Sequence, residues 1–253
     1  MSKWSKLFAC AAIACASALV GNAAPAAEIR VIATAGPMPT LMGALTPLFE
    51  HASGNKVTIK FQGVPQTLGE LKDGAAVDLL IADAEQMESF AKAGAVAASA
   101  PTKIMLSRVG VAVKQGAPKP DISSSEALKA ALTSAKTVAY SQGASGQHFV
   151  TVIARLGLTD TLKAKTIIVQ GKPVGAAVAA GEAEIGIQQV AELMPVPGID
   201  LVGPLPGDLQ KIIVYEAAPA AKAKEAEAAN ALIKFISTDA AIAVLKQKGM
   251  TPP

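Results

Sequence analysis

The chain has 253 residues, of which 51% are hydrophobic and 17% charged, and its formal net charge is +3. A charge this small gives no electrostatic footprint for nucleic acid, so no nucleic-acid partner is expected. The length is sufficient for one large domain or for two small lobes with a sizeable core.

Residues 1–26 carry the pattern of a secretory signal peptide. Two lysines form a basic start, residues 7–20 are apolar, and Ala24 and Ala26 make an A-x-A cleavage site. The pattern predicts cleavage after Ala26 and a periplasmic protein, and the apolar run is too short for a membrane-spanning helix. Without those lysines, 21 of the 23 basic residues remain against 20 acidic ones, so the mature chain is nearly neutral.

Both cysteines, Cys10 and Cys15, lie in this amino-terminal segment. The mature chain would therefore have no disulfide, no thiolate metal site and no cysteine nucleophile. Residues 12–15 loosely resemble a lipoprotein cleavage box, which makes lipidation of Cys15 the alternative to simple cleavage. We expect neither a metal nor a cofactor.

Strands and helices alternate from Glu28 onward. Short β-rich runs at residues 28–33, 57–61 and 77–82 are each followed by apolar residues at helical spacing. This alternation predicts a parallel sheet with helices on both faces. After an extended stretch at 104–113, a helix with Ser123 and Glu126 at capping-box spacing opens a second series. Its predicted strands are 138–140, 167–169, 183–187 and 201–202.

Two extended segments, near Arg108 and near Val214, connect the two series, and two amphipathic helices end the chain. The prediction is an α/β fold of two Rossmann-like three-layer lobes joined by two extended hinge crossovers. Residues 27–107 and 215–253 would form the first lobe, and residues 108–214 the second. Because open α/β sheets bind ligands at the carboxyl ends of their strands, the cleft between the lobes is the candidate site.

The stretch Tyr140–Phe149 joins a predicted strand to a predicted helix through two glycines and two serines. The glycines allow a sharp turn, and Ser145 is predicted to cap the helix. A helix start exposes unpaired N–H groups and the positive end of the helix dipole, which favours an anion. The candidate contacts here are Ser141, Ser145, Gly146, Gln147 and His148; an ordinary strand-to-helix turn is the alternative.

Four segments resemble the periplasmic solute-binding proteins of ABC importers, in the branch related to molybdate-binding proteins. They are GAPKPDI at 116–122, ASG at 144–146, GEAEIGIQQ at 181–189 and GPLP at 203–206. The resemblance implies a type II periplasmic binding fold, a small anionic ligand and an inner-membrane ABC permease as partner. We expect a monomer.

Members of that branch hold molybdate with two serine hydroxyls, a tyrosine hydroxyl and backbone N–H groups. Aligned by eye, those positions fall at or near Gly36, Val64–Pro65, Gln189 and Pro173, which do not supply the same donors. These departures from the pattern of the branch favour a small organic di- or tricarboxylate over molybdate or tungstate, which remain the alternative.

Residues that could replace the missing donors lie at the ends of the predicted strands and at the first crossover. The guanidinium of Arg108 suits a carboxylate, and two adjacent amides at a strand end are costly to bury unless they are hydrogen-bonded. For Arg108 and Lys172 the alternative is an ordinary solvated side chain, and for His148 a packing or capping role. The candidates are Thr34, Ala35, Gly36, Gln62, Gly63, Arg108, Lys172, Val174, Gln188 and Gln189.

Three classes of function fit an exported α/β chain. A solute receptor is favoured, and no enzymatic activity is expected. An exported hydrolase lacks support because no G-x-S-x-G, H-E-x-x-H or P-loop motif is present, and the only histidines are His51 and His148. A regulator's sensing domain would need a DNA-binding segment where the signal peptide stands.

Overall fold

The computed structural model describes residues 26–97 and 101–253. The predicted signal peptide, apart from Ala26, and both cysteines lie outside these residues. The first α/β series consists of β1 (Glu28–Ala33), α1 (Met38–Ser53), β2 (Lys56–Phe61), α2 (Val64–Lys72), β3 (Leu79–Asp83) and α3 (Ala84–Lys92). In it, β1 pairs in parallel with both β2 and β3.

A long strand, β4 (Thr102–Lys114), leads into the second series. That series consists of α4 (Ser125–Ser134), β5 (Val138–Ser141), α5 (Ala144–Arg155), α6 (Thr159–Lys163), β6 (Thr166–Val169), α7 (Val174–Ala179), β7 (Ile185–Gln189), α8 (Val190–Leu193) and β8 (Ile199–Pro204). The chain returns through β9 (Ile212–Pro219), α9 (Ala226–Ile236), α10 (Asp239–Gln247) and β10 (Met250–Thr251).

The strand order β2-β1-β3-β9-β4-β7-β5-β6 makes β4 common to both series. Its first half pairs with β9 as far as Arg108, and its second half pairs with β7 from Val109 onward. The parallel strands of both series end near the point where β4 changes its pairing partner. Asp83, at the end of β3, pairs with Tyr215. Gln189, at the end of β7, pairs with Val109. The predicted fold class is confirmed; the lobe boundaries at 107/108 and 214/215 stay a prediction.

Helices cover the sheet because their apolar residues recur on one side. In α1, Leu41, Leu45 and Phe49 follow one another at four-residue spacing, and all three are buried in one core with Ile29 and Val31 of β1. Within the described residues, no single helix is long and apolar enough to cross a membrane; α9 and α10 reach that length and composition only as a pair bent by 63°.

Two predicted helix caps are wrong. Ser124, not Ser123, caps α4, since its Oγ accepts the Ala127 N–H. Ser145 does not cap α5: the helix begins at Ala144, and extended Gly143 takes the cap position, its carbonyl accepting the Gln147 N–H at 3.0 Å. The extended glycine therefore takes the cap position two residues before the serine, and the helix begins one residue before it.

Candidate functional site

The loop that follows β1 approaches both halves of the sheet. Gly36 has φ +85°, and a Cβ built on it would lie 3.1 Å from the Tyr215 hydroxyl and 3.5 Å from Nε2 of Gln189. Thr34 is 2% exposed, and its Oγ1 has no hydrogen-bond partner within the described structure. Ala35 between them is exposed. Glycine is thus required at position 36 by both backbone conformation and space.

A buried polar pair lies beneath this loop. Nε2 of Gln189 lies 3.0 Å from the Tyr215 hydroxyl, and both residues are buried. Burial raises the pKa of Tyr215, with the charges of Glu192 and Asp83 adding to the effect. The phenol therefore stays protonated and can act as a hydrogen-bond donor as well as an acceptor.

Gln188 connects the starts of two helices. Its Oε1 accepts the Val174 N–H at 2.9 Å, and its Nε2 donates to Oε1 of Glu192 at 2.8 Å. Desolvation raises the pKa of Glu192 to about 7, although hydrogen bonds from Gln188 and Gln189 act in the opposite direction. The carboxyl end of β7 thus carries two hydrogen-bonded amides, and the half-buried Glu192 carboxyl lies beside them.

The start of α5 brings five predicted residues together. Gly146 packs directly on β5, because a Cβ there would lie only 1.6 Å from the Ser141 carbonyl oxygen. Ser145 is buried and Ser141 half-buried. The other two side chains are engaged within the protein: Nε2 of His148 lies 2.8 Å from the Leu209 carbonyl, and Nε2 of Gln147 donates to the Gln142 carbonyl.

Gln62 and Gly63 precede α2 at the end of β2. Gln62 is 8% exposed, and its Nε2 donates to Oγ1 of Thr67 at 3.2 Å. Gly63 is extended and exposed, and it occupies the cap position of α2. The amide of Gln62 therefore already has a partner inside the first lobe.

The predicted cations differ in their surroundings. Lys172 is exposed and paired with Glu182, with Nζ to carboxylate distances of 2.6 and 2.8 Å. Arg108 is exposed and forms no ion pair within the described residues. It pairs across the strands with Ile212, and cross-strand partners project from the same face of a sheet.

A cavity of about 200 Å³ lies between the two series and is lined by residues of both. Ile212 lines it, together with Asp83 and Glu85 at the start of α3, Ala144 at the start of α5, and Lys211. Nζ of Lys211 bonds Oε1 of Glu85 at 2.7 Å, and desolvation raises the pKa of Asp83. A larger cavity of about 610 Å³ lies at the other end of β3, around Asp78 and away from these residues.

Sequence reasoning missed Tyr215, Glu192, Lys211 and Asp83. Tyr215, Lys211 and Asp83 are distant in the sequence from the predicted site residues and join them through strand pairing or a helix start, whereas Glu192 follows Gln189 by only three residues. One signal was available: the chain has only two tyrosines, and Tyr215 stands inside an apolar strand where its hydroxyl needs a partner.

Known proteins resemble this chain along most of its length. A family model described as bacterial extracellular solute-binding protein matches residues 29–251. The aconitate isomerase of Pseudomonas sp is 34% identical, covering 91% of this chain and 90% of that protein. The molybdate-binding protein ModA of Azotobacter vinelandii is 30% identical, covering 94% and 95%. The substrate-binding domain of a molybdenum ABC transporter from Clostridium difficile superposes with a TM-score of 0.75 at 18% identity, covering 90% of this chain and 100% of that one.

Proposed function

The chain belongs to the bacterial extracellular solute-binding protein family, and we propose that it is a periplasmic receptor for a small di- or tricarboxylate. The family implies a small ligand and an ABC permease as partner. The ligand would lie where the strands of both series end, between the loop at Gly36, the start of α5 and the first crossover.

The observation that carries this choice of ligand is the guanidinium of Arg108, which has no ion-pair partner among residues 26–97 and 101–253. The other cations near the cleft, Lys211 and Lys172, are already neutralised by Glu85 and Glu182. Arg108 shares the face of Ile212, which lines the cavity between the two series. A guanidinium fork can bind a planar carboxylate through two parallel hydrogen bonds, so Arg108 supplies a charged donor for a carboxylate group.

The donors around the site also favour a carboxylate over molybdate. The Val174 N–H is taken by Gln188, and the Gln189 amide by Tyr215. A buried dianion needs nearly all its oxygens hydrogen-bonded, and each missing hydrogen bond to a charged oxygen costs about 1.5–3 kcal/mol. Two missing hydrogen bonds would weaken molybdate binding by about a hundredfold or more. The similarity to an aconitate isomerase, whose name specifies a tricarboxylate, supports the same class of ligand.

Isomerisation of the bound carboxylate is a second candidate function. It is favoured by the 34% identity to aconitate isomerase over 91% of this chain. Receptor and isomerase would share one site, because both must first hold the same carboxylate groups.

Calorimetry with the mature chain tests the choice of ligand. The probes are cis-aconitate, trans-aconitate, citrate and succinate against molybdate, tungstate and sulfate. We expect a carboxylate to bind at least about a hundredfold more tightly than molybdate. Arg108→Ala should weaken that binding by about ten- to a hundredfold, since it removes a charged hydrogen-bond donor. Lys103→Ala, an exposed cation on the same strand, is the control.

A tight molybdate complex with no carboxylate binding would overturn this proposal. An unchanged affinity in Arg108→Ala would remove that residue from the site.

Export and processing belong to the same proposal. The A-x-A pattern at Ala24 and Ala26 would give a mature chain that begins at Ala27, without disulfides and as a monomer. Mass spectrometry of the exported protein tests this. An N-terminal diacylglycerol on Cys15 would instead make the protein a lipoprotein.

A further inference from the structure

A cavity of about 610 Å³ lies apart from the proposed carboxylate site. It surrounds Val77 and Asp78, which precede β3, whereas the proposed site lies where the strands end. Its walls are formed by the end of α2, the turn after α3 and the chain that follows β9. The volume is within the range of small-molecule sites, and solute binding in the cleft gives this cavity no role.

The interior of this cavity adjoins a small hydrophobic core that is open on one side. Val77 and Ala220 line the cavity, and both are buried in a core with Phe90. Other apolar residues pack against this core, line the cavity and keep part of their surface exposed: Leu68, Leu71 and Ala95. Protein cores are normally close-packed. An apolar molecule in the cavity would therefore remove this exposed surface from water.

Three lysines line the same cavity. Lys72 ends α2, and Lys222 and Lys224 follow β9. All three are exposed, and none forms an ion pair within residues 26–97 and 101–253. A molecule that has both an apolar part and an anionic group would match this lining, because burial and charge complementarity would act together.

Asp78 is the one acidic residue in the described lining, and its carboxylate is already hydrogen-bonded. It is 1% exposed, and its Oδ1 accepts the N–H groups of Lys224 and Glu225 at 3.0 and 3.1 Å. Its Oδ2 accepts the Arg30 N–H at 2.9 Å. These charge-assisted bonds hold the backbone of Lys224 against the start of β3, so this lysine is positioned beside the apolar lining.

We propose that this cavity binds a free single-chain amphiphile, an acyl chain that ends in a carboxylate. The chain would lie against Leu68, Leu71 and Val77, and the carboxylate would lie among the three lysines. The open hydrophobic core together with these unpaired lysines carries the inference. The site is separate from the proposed carboxylate site in the cleft and does not depend on it.

Both parts of this ligand are needed. Exposed ion pairs contribute little because water and salt screen them, so the lysines alone would not retain a short carboxylate. Every two further methylene groups that the cavity buries should tighten binding by about tenfold. A cationic amphiphile would bury a similar chain but would place like charges beside the lysines, which weakens binding.

Calorimetry with the mature chain and dodecanoate, below its critical micelle concentration, tests the proposal. We expect saturable binding at a single site. Octanoate, which has a shorter chain, should bind about a hundredfold more weakly. Dodecyltrimethylammonium, which carries a similar chain and the opposite charge, should bind at least about tenfold more weakly than dodecanoate.

Variants of the lining separate the apolar part of the site from the charged part. Ala221→Trp fills the cavity from an exposed position and should weaken dodecanoate binding by at least about tenfold. Lys222→Glu combined with Lys224→Glu should weaken it by about tenfold or more and strengthen dodecyltrimethylammonium binding. The matched control, Lys129→Glu combined with Lys163→Glu, changes exposed lysines outside the cavity and should leave both affinities within about twofold.

Three results would overturn this inference: no dodecanoate binding, an unchanged affinity in the Lys222 and Lys224 double variant, and displacement of dodecanoate by citrate or trans-aconitate. Displacement would place the chain in the cleft. The double variant changes only exposed side chains, so it decides the matter if Ala221→Trp does not fold. A protein that binds dodecanoate but no di- or tricarboxylate would overturn the proposed function alone, so the two failures are distinguishable.

Discussion

Tyr215 and Gln189 join the two α/β series through buried side-chain contacts: the Tyr215 hydroxyl lies 3.0 Å from Nε2 of Gln189 and 3.2 Å from its Oε1. Tyr215 lies on β9, which pairs with the first half of β4, and Gln189 ends β7, which pairs with the second half. Any rotation of one half of the sheet against the other must change this contact or turn about it. The distance between Tyr215 and Gln189 therefore depends on how the two lobes are oriented relative to each other.

Removing the Tyr215 hydroxyl should destabilise the protein. Tyr215→Phe leaves the Gln189 amide buried without this partner, which costs about 1–3 kcal/mol of unfolding free energy. Chemical denaturation measures the decrease. Tyr140→Phe is the control: Tyr140 is half-buried, and we expect a change below about 0.5 kcal/mol. Equal effects of the two substitutions would contradict a special role for the pair.

Gly36 should be needed for both folding and binding. Gly36→Ala places a Cβ 3.1 Å from the Tyr215 hydroxyl at φ +85°. Gly54→Ala meets the same backbone penalty at φ +75° but no atom within 4 Å. The penalty itself is about 1–2 kcal/mol, so both variants should lose stability, and only Gly36→Ala should also lose carboxylate affinity. Thermal unfolding and calorimetry on both variants check this; equal affinities would place the loop outside the site.

Gly146 should tolerate no side chain at all. An alanine Cβ would lie 1.6 Å from the Ser141 carbonyl oxygen, so Gly146→Ala must push α5 off β5. We expect a loss of more than about 4 kcal/mol or failure to fold. Gly43→Ala, at an exposed position within α1 with open space around it, should instead stabilise by about 0.5–1 kcal/mol. Soluble Gly146→Ala protein with wild-type stability would contradict this packing of α5 on β5.

The sequence predicted the order of strands and helices well because each element has a local signal. The strand at Glu28–Ala33 was predicted to the residue, since its apolar run is bounded by clear turn residues. Gly146 was predicted as part of a sharp turn and as a candidate ligand contact, although what requires glycine there is the approach of the Ser141 carbonyl. The Ser145 cap was wrong because serine is a generic helix-start signal, whereas the extended conformation of Gly143 decides where α5 begins.

The site was harder to predict because it depends on contacts between distant segments. Gln189 could be selected as a buried amide at a strand end, but its partner Tyr215 is 26 residues away. Glu192 carries no local signal in the sequence, since its partial burial arises where α8 packs on β4, β7 and β8. Local patterns therefore identify the strand ends, and the pairing of β4 decides which side chains meet there.

Ligand binding should close the lobes about two hinges, near Ser107–Val109 and Val214–Glu216. The first hinge lies where β4 stops pairing with β9 and begins to pair with β7. The Gln210 side chain bonds both the N–H and the carbonyl of Val109 at 2.9 Å, so the turning point is fixed to the chain that leads into β9. Small-angle scattering should show a smaller radius of gyration with bound carboxylate than with a solute that does not bind. An unchanged radius at saturation would contradict hinge closure.

Glu192 should make stability depend on pH. Its pKa is raised from an ordinary 4.5 to about 7 in the folded protein, so the folded state holds this proton more tightly than the unfolded chain does. The resulting stability is fully present below about pH 4.5 and is lost as pH rises through 7. Glu192→Gln cannot ionise. Its unfolding free energy relative to wild type should therefore rise by about 2–3 kcal/mol between pH 4.5 and pH 8.

Urea denaturation at pH 4.5, 6 and 8 measures this difference, and Glu227→Gln, which removes an exposed carboxyl, should show almost none. The direction in which this stability difference changes with pH distinguishes desolvation of the carboxyl from ion pairing. A carboxylate held by a cation would have a lowered pKa, and replacing it with glutamine would cost stability as pH rises. A difference that is flat or falls with pH would mean that the Glu192 carboxyl is solvated or paired with a cation in solution.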